Sequence, residues 1–327
     1  MNKVVSIPCT VISPMFSYGN GRLEPRETEV KGLLRNTYRI ANPALDLKTL
    51  YQREMMLFGG QVLEKSGEIT TKASPLRIRM LEIEQKLGVG KQRLRLRIDE
   101  DIFYDSKGKE QKNFKKFHYE KGKLFDIELA VNSIFANFAS IPYLKGEDPV
   151  TWYTELFYLS LVLGGIGKRS RRGRGCMSAD ALKQKSINEL PEWVAGHLNK
   201  VCGESAYIIK GNGVKLLNSF DKDHDRPFIR EVRFGKLQNT AGVNEYLKKV
   251  DTASHEIKGS FHRPNATGFV QGKYRFASSL VVSLTEVKEG IVPVYTLLNA
   301  ASNTVKFYEQ YKEQQEFIKM IEAGEKR

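Results

Sequence analysis

The first apolar positions of the chain alternate. Between Val4 and Met15 the residues Val5, Ile7, Cys9 and Val11 fall on one side, which predicts an opening strand closed by Pro14 and Gly19-Asn20-Gly21. After Pro25 the period becomes helical. Val30, Leu33, Leu34, Tyr38 and Ala41 form one apolar arc, and Glu27 and Glu29 occupy the first turn, where the helix dipole favours acids. Lys31, Arg35 and Arg39 follow at four-residue steps beside that arc with no acid among them, and are read as phosphate contacts. A second helix is predicted over Leu47–Phe58, opened by Asp46 and closed by Gly59-Gly60.

Two strands of unusual pattern come next. Over Ala73–Glu82, Leu76, Ile78 and Met80 alternate with Pro75, Arg77 and Arg79. Over Arg93–Ile98, Leu94, Leu96 and Ile98 alternate with Arg93, Arg95 and Arg97, and the glycine-rich turn Lys86–Gly90 lies between the two. Antiparallel pairing would bury both apolar rows and gather the five arginines on one face. The mutual repulsion of such a face needs a polyanion or an acidic neighbour to offset it.

Residues 99–123 are charged and irregular and read as a surface loop or hairpin insertion, after which alternation returns over Lys123–Phe138. Asp148-Pro149 is an N-cap followed by proline at the first helical position. The helix it opens, Val150–Leu163, is apolar almost all round and so expected to be buried. Ser178–His197 has a helical pattern interrupted by Pro191. Tyr207–Ile209 is a short strand candidate before a turn at Gly211-Asn212-Gly213. From Phe228 the order is strand (Phe228–Phe234), helix (Ala241–His255), strand (Tyr274–Thr285), strand (Ile291–Leu298) and helix (Val305–Ile321). Both halves thus carry most of a ferredoxin-like or RRM-type unit. The predicted fold class is α+β, with two such units packed together over residues 1–200 and 201–327. A local echo agrees with duplication: Ala73-Ser-Pro-Leu-Arg-Ile-Arg-Met80 parallels Ala277-Ser-Ser-Leu-Val-Val-Ser-Leu284 at the second strand of each unit.

The buried helix delivers the most distinctive stretch of the chain, Gly164–Gly175, which reads GGIGKRSRRGRG. Gly164, Gly165, Gly167, Gly173 and Gly175 are interleaved with Lys168, Arg169, Arg171, Arg172 and Arg174, without an acid. Glycine lets a backbone approach a ligand closely, and arginine offers a planar fork that fits phosphate. Complementing the negative end of the preceding helix would need one or two cations, not five. The sequence therefore predicts a pliable, solvent-facing loop that holds a nucleic-acid backbone.

Charge strengthens that reading. The 327 residues hold 52 Lys+Arg against 38 Asp+Glu, a formal net charge of +14, so an acidic partner is expected. A membrane is not favoured: the longest apolar run, Leu156–Ile166, is too short to span a bilayer and contains two glycines. No signal-peptide pattern follows Lys3, and Cys9, Cys176 and Cys202 are scattered without a CxxC, which predicts free thiols in a cytoplasmic protein. No cofactor or metal is expected. His197, Cys202 and His224 fit no zinc spacing, and Gly167-Lys168 is followed by Arg169 where a P-loop needs Ser or Thr. No HExxH or GxSxG pattern is present, and the strands offer arginines where an RRM would place paired aromatics, so sequence-independent holding of an RNA backbone is the better fit.

Four places in order resemble the RAMP superfamily of CRISPR proteins and, within it, the first-numbered subunits of type III-B (Cmr) RNA-targeting effector complexes. They are Ser13-Pro-Met-Phe16 leading to a glycine, Val30-Lys-Gly-Leu-Leu-Arg35 with Arg39, Phe58-Gly-Gly60 followed by Ala73-Ser-Pro75 with its arginine-bearing strand, and Gly164–Gly175, which is similar to the RAMP glycine-rich loop. The family tends to place consecutive aromatics after the helix arginine, where this chain has Asn36-Thr37-Tyr38. The resemblance implies a non-catalytic subunit that lies near the guide RNA's 3′ end, contacts guide and single-stranded target RNA, and helps capture target in antiviral defence beside other Cmr subunits. Slicing in such complexes belongs to another, repeated subunit. Two other readings stay open. One is a RAMP endonuclease that processes guide precursors with a histidine base, drawn from His118, His197, His224, His255 and His262; against it, the glycine-rich loop is mid-chain and no histidine precedes His118. The other is an RNA-binding protein unrelated to CRISPR.

Overall fold

The structure, a computed structural model, describes residues 2–63, 68–83, 88–104, 108–132, 138–217, 226–260, 265–271, 274–299 and 310–323. His224, His262, the start of the glycine-rich turn at Lys86 and residues 305–309 of the last predicted helix lie outside them.

In chain order, β1 (Asn2–Val11) leads to α1 (Glu27–Ala41), α2 (Leu47–Phe58) and β2 (Leu76–Glu82). An insertion follows with β3 (Val89–Arg93), β4 (Ile102–Tyr104), β5 (Glu110–Lys112) and β6 (Lys115–Tyr119). Then come β7 (Leu124–Asn132), α3 (Pro149–Leu163), β8 (Met177–Ala179) and α4 (Leu190–Cys202). The remainder carries β9 (Tyr207–Ile209), β10 (Gly213–Leu216), β11 (Ile229–Phe234), α5 (Val243–Ser260), β12 (Leu280–Val287), β13 (Gly290–Leu298) and α6 (Gln310–Ala323). The fold is mixed α/β. Among the described residues it has a four-stranded sheet in the order β8-β1-β7-β2 and a five-stranded sheet in the order β9-β10-β11-β13-β12, with antiparallel pairing throughout.

Register in the first sheet follows the period-2 pattern. Ile7 lies opposite Ile127, which lies opposite Met80, so three strands contribute one buried row. Phe125, Ile127, Leu129 and Val131 alternate with half-buried neighbours along β7. The caps form as the sequence requires: the Asp46 side chain accepts from the Thr49 N–H at 2.9 Å and Asp148 from the Thr151 N–H at 3.1 Å.

Helix α3 explains its own composition. It packs against β1 and β7 of the first sheet and against β12 and β13 of the second, so nearly every side of it is covered. Ser283 on β12 donates to the Val162 carbonyl at 2.6 Å, tying helix to sheet. Strands β12 and β13 are likewise buried almost throughout because both their faces are covered. Val281, Val292 and Val294 join the core around α3, while Leu280, Val282, Ile291 and Tyr295 join a second core with α5 and α6.

Three expectations are corrected. The two arginine-bearing segments do not pair with each other. β2 pairs with β7, whose apolar alternation matches its own, β3 pairs with β6, and residues 94–98 form no strand. The strand read over 274–285 is two pieces, Tyr274–Phe276 and β12, with the break at Ala277–Ser279. Within 178–197, β8 begins at Met177 as an edge strand, and Pro191 sits in the first turn of α4, where its missing N–H is harmless.

Candidate nucleic-acid interface

The glycine-rich segment is folded tightly into the protein. The Ile166 N–H donates to the Gly175 carbonyl at 3.0 Å, the Lys168 N–H to Phe16 at 3.0 Å and the Gly175 N–H to Pro14 at 3.0 Å. On the other side the Gly173 N–H donates to the Val282 carbonyl at 2.7 Å, and the Val282 N–H to Arg171 at 3.0 Å. The segment thus bridges the end of the first strand and β12, and the expectation of a pliable loop is corrected. Its glycines serve close packing: a Cβ on Gly175, whose φ is +68°, would lie 1.8 Å from the Ile166 carbonyl oxygen. Gly175→Ala is therefore expected to cost more than about 2 kcal/mol, read as a lower urea midpoint, because it combines a left-handed backbone with a clash against main chain. An unchanged midpoint would show that the segment is free to shift.

The arginines divide into internal and outward-facing groups. Arg174 is completely buried, with Nη2 2.7 Å from Asp251 Oδ2 and Nη1 3.3 Å from Oδ1. The Arg169 Nη1 lies 2.9 Å from the same Oδ1, and the Asp251 side chain is 2% exposed. Asp251 also accepts the Leu96 backbone N–H at 2.9 Å, so one carboxylate on α5 fastens both the glycine-rich segment and the insertion. Arg169 is held in left-handed backbone at φ +62°, a conformation that surrounding contacts must sustain. The expectation that all five bases face solvent is thereby corrected. So is its corollary, that removing Arg169, Arg171, Arg172 and Arg174 together would spare stability: an acid seventy-seven residues beyond Arg174 neutralises two of them inside the fold. Arg171 donates to the Ser278 carbonyl at 2.6 Å and borders a pocket of about 260 Å³ against α1. Lys168 lies over the Tyr18 ring at 4.6 Å.

Beside this anchor opens a larger cleft of about 830 Å³. Arg95 and Arg97 reach it from the insertion, Arg169 and Arg172 from the glycine-rich segment, and His255 and Lys258 from α5. Asp251, at its base, and the exposed Asp99 and Glu100 are its carboxylates, so cations exceed acids. The imbalance registers on Lys258, whose ammonium is pushed down to about 8 by burial and then by Arg172, Arg169, Arg95 and Arg97. Burial, with Arg97 and Lys258, likewise lowers His255 below the ordinary histidine value. Several cations partly withdrawn from water around a concavity repel one another, and a polyanion entering it would offset that repulsion.

The other predicted bases lie outside this cleft. Lys31 donates to Ser74 Oγ at 2.6 Å, and Arg35 and Arg39 both bind Glu54 of α2, whose side chain is 2% exposed. The acid missing from the four-residue steps of α1 comes from the neighbouring helix. Arg77 and Arg79 point to solvent from the edge strand β2, Arg79 3.7 Å from Glu128, and Arg93 pairs with Asp101 at 2.8 Å. Of the arginine face, only Arg95 and Arg97 reach the cleft.

Sequence reading named His255 only as one of five candidate bases and missed Lys258. With Asp251 they stand at i, i+4 and i+7, one face of a helix, a signal that gains meaning only when the glycine-rich segment is seen to lie on that face. His118 is buried with its ring against Phe16, and His197 is within 2.8 Å of the Trp193 carbonyl, which leaves His255 as the histidine that borders the cleft among the described residues. Cys9, Cys176 and Cys202 are buried and free, and burial pushes the Cys176 thiol up to about 11. No group of three His, Cys, Asp or Glu able to hold a metal occurs among the described residues, and no helix there is long and apolar enough to cross a membrane.

No protein-family model and no curated protein matches the sequence. Solved structures do. The crystal structure of Cmr1 from Pyrococcus furiosus, in its apo form, aligns with 98% of this chain and 96% of its own, at a TM-score of 0.53 and 15% identity. The chain has the fold of Cmr1. A chain of type III-B Cmr-beta bound to cognate target RNA aligns over 97% of this chain and 99% of its own, with a TM-score of 0.55 and 13% identity. A chain of Cmr-beta bound to cognate target RNA and AMPPnP, in the presence of ssDNA, gives 0.53 and 11% over 97% and 98%. The likeness to Cmr1 thus runs the length of both chains and covers both sheets.

Proposed function

We propose that this chain is a non-catalytic, cytoplasmic RNA-binding subunit of a CRISPR type III-B (Cmr) effector complex. In this reading it holds the backbone of guide and single-stranded target RNA near the guide's 3′ end, without strong sequence preference, and aids target capture in antiviral defence. The observation that carries the proposal is the convergence of Arg95, Arg97, Arg169, Arg172 and Lys258, from three separate parts of the chain, on one cleft. Folding this many cations together is unfavourable without a partner, and phosphates supply one. Lys31, Arg35, Arg39, Arg77, Arg79, Arg93, Lys168 and Arg171 extend the contact outside the cleft, while Arg174 supports it from within. The like fold of chains in RNA-bound Cmr-beta supports the assignment to such a complex.

The same proposal takes the two sheets as ferredoxin-like units divided near residue 200. In the first, α1 joins β1 to β2 and α3 joins β7 to β8 around the order β8-β1-β7-β2, an arrangement that supports a β-α-β-β-α-β unit. In the second, β12 occupies the outer position that β2 has in the first, with β10 beside β11 in the place of a fourth strand. The echoed octapeptides enter β2 and β12 at the same step, Leu76 and Leu280.

Purifying the tagged chain from the cells that make it, sequencing its RNA and identifying its companions tests the assignment. CRISPR-derived guides together with other effector subunits are expected; unrelated RNA alone would overturn it. The endonuclease reading is favoured by one observation, the placement of His255 in the cleft with its pKa lowered so that it is neutral near pH 7. Incubation with repeat RNA separates the two: cleavage lost in His255→Ala would establish the nuclease, and intact RNA the holding subunit.

The cleft also predicts a pH dependence. A lysine held at about 8, below its ordinary value, makes the unliganded protein gain stability as pH rises above about 8. A bound phosphate reverses this by favouring the ammonium, so binding takes up a proton in that range. RNA affinity is expected to be full below about pH 8 and to fall as pH approaches about 10. Lys258→Met should flatten the profile when anisotropy is followed across that range.

A further inference from the structure

The cleft holds more than cations. From β4 of the insertion Phe103 and Tyr104 both border it, and Tyr104 is 69% exposed. The Arg95 guanidinium lies 4.9 Å from the centre of the Phe103 ring. The pattern recurs over the insertion, where Lys91 lies over Phe117 at 4.5 Å and Lys112 over Phe114 at 5.9 Å. Phe117 is 50% and Phe114 46% exposed.

Of these rings Tyr104 is the one both exposed and at the mouth of the cleft, Phe103 being half-buried and Phe114 and Phe117 lying elsewhere on the insertion, and each exposed ring offers an apolar face beside a cation. Phosphate gives no reason for them, since cations alone would hold it. A single-stranded nucleic acid does, because it presents a planar base beside each phosphate, and aromatic faces stack on any base. A duplex would keep its bases stacked inside and leave the rings uncovered.

We propose that Tyr104 is a base-stacking platform, on which one unpaired nucleobase of the RNA lies while the adjoining phosphates rest on Arg97, Arg172 and Lys258. This rests on the RNA-holding reading and adds that the ligand is engaged as an unpaired strand through a base face as well as through its backbone. The Arg95–Phe103 pair forms the neighbouring wall, where the guanidinium already covers one ring.

The test compares binding of the full chain to a fluorescein-labelled oligouridine and to an oligomer of the same length in which every base is replaced by an abasic ribose. The parent should bind the oligouridine about tenfold more tightly, the effect typical of one stacked base. Tyr104→Ala should lower oligouridine affinity to the abasic level and leave abasic affinity unchanged, while Tyr104→Phe should keep the preference. Equal binding of both oligomers by the parent, or an equal loss for both in Tyr104→Ala, overturns the stacking platform and leaves backbone holding intact. Binding of neither oligomer overturns both.

Discussion

Replacing Asp251 with alanine is expected to destabilise the protein by about 3–5 kcal/mol, the range for removing one partner of a buried ion pair. Arg174 is fully buried and would keep a charge with no counter-ion, and Arg169 would lose the bond that steadies its left-handed backbone. The Leu96 N–H would lose its acceptor at the same time. Urea unfolding monitored by circular dichroism reads the effect. Asp251→Asn, which keeps the shape but not the charge, should fall between the parent and the alanine variant. A loss below about 1 kcal/mol for Asp251→Ala would mean that the glycine-rich segment is held by its main-chain bonds alone.

The second large effect is on RNA. Substituting Arg95, Arg97, Arg172 and Lys258 together with alanine is expected to weaken single-stranded RNA binding on the order of a hundredfold at physiological salt, since each lost phosphate contact removes its share of counter-ion release. Stability should change far less than in Asp251→Ala, because none of the four is bound to the buried carboxylate in an ion pair. Arg172 does donate to the Thr267 carbonyl at 3.1 Å, so a small loss is expected there. Near-parental affinity in the quadruple variant would move the RNA site elsewhere on the chain.

Local signals in the sequence were reliable guides to local structure. Asp46 and Gly59 bracket α2 and Asp148-Pro149 opens α3 because caps depend on a few neighbouring residues. The all-round apolarity of Val150–Leu163 correctly implied burial, and the pairing of two sheets on that helix gives the cause. Partner choice between distant segments was not legible. Arg77 and Arg79 look like one side of an arginine hairpin, yet β7, more than forty residues on, offers β2 a better apolar match. Strands as short as Met177–Ala179 carry too few positions to show a period. The charges were legible as a sum but not as pairs: Glu54 lies on the helix after the one that carries Arg35 and Arg39, and Asp251 on a helix far beyond the glycine-rich segment that carries Arg169 and Arg174. Of the glycine-rich bases, Arg169 and Arg172 reach the cleft, and Lys258 joins them from a helix whose sequence gives no separate sign of binding.

The salt dependence of RNA affinity tests most directly the proposal that the cleft is where phosphate is neutralised. Affinity of the full chain for a single-stranded RNA should fall linearly in logarithmic terms with salt, at about 0.7 units per phosphate neutralised. Removing Arg95, Arg97, Arg172 and Lys258 should lower that slope by about 3 units, four contacts' worth. Removing Lys31, Arg35 and Arg39 should lower it by less than about 1 unit, because Glu54 already engages the two arginines. An affinity insensitive to salt, or a slope unchanged in the cleft variant, would contradict the assignment.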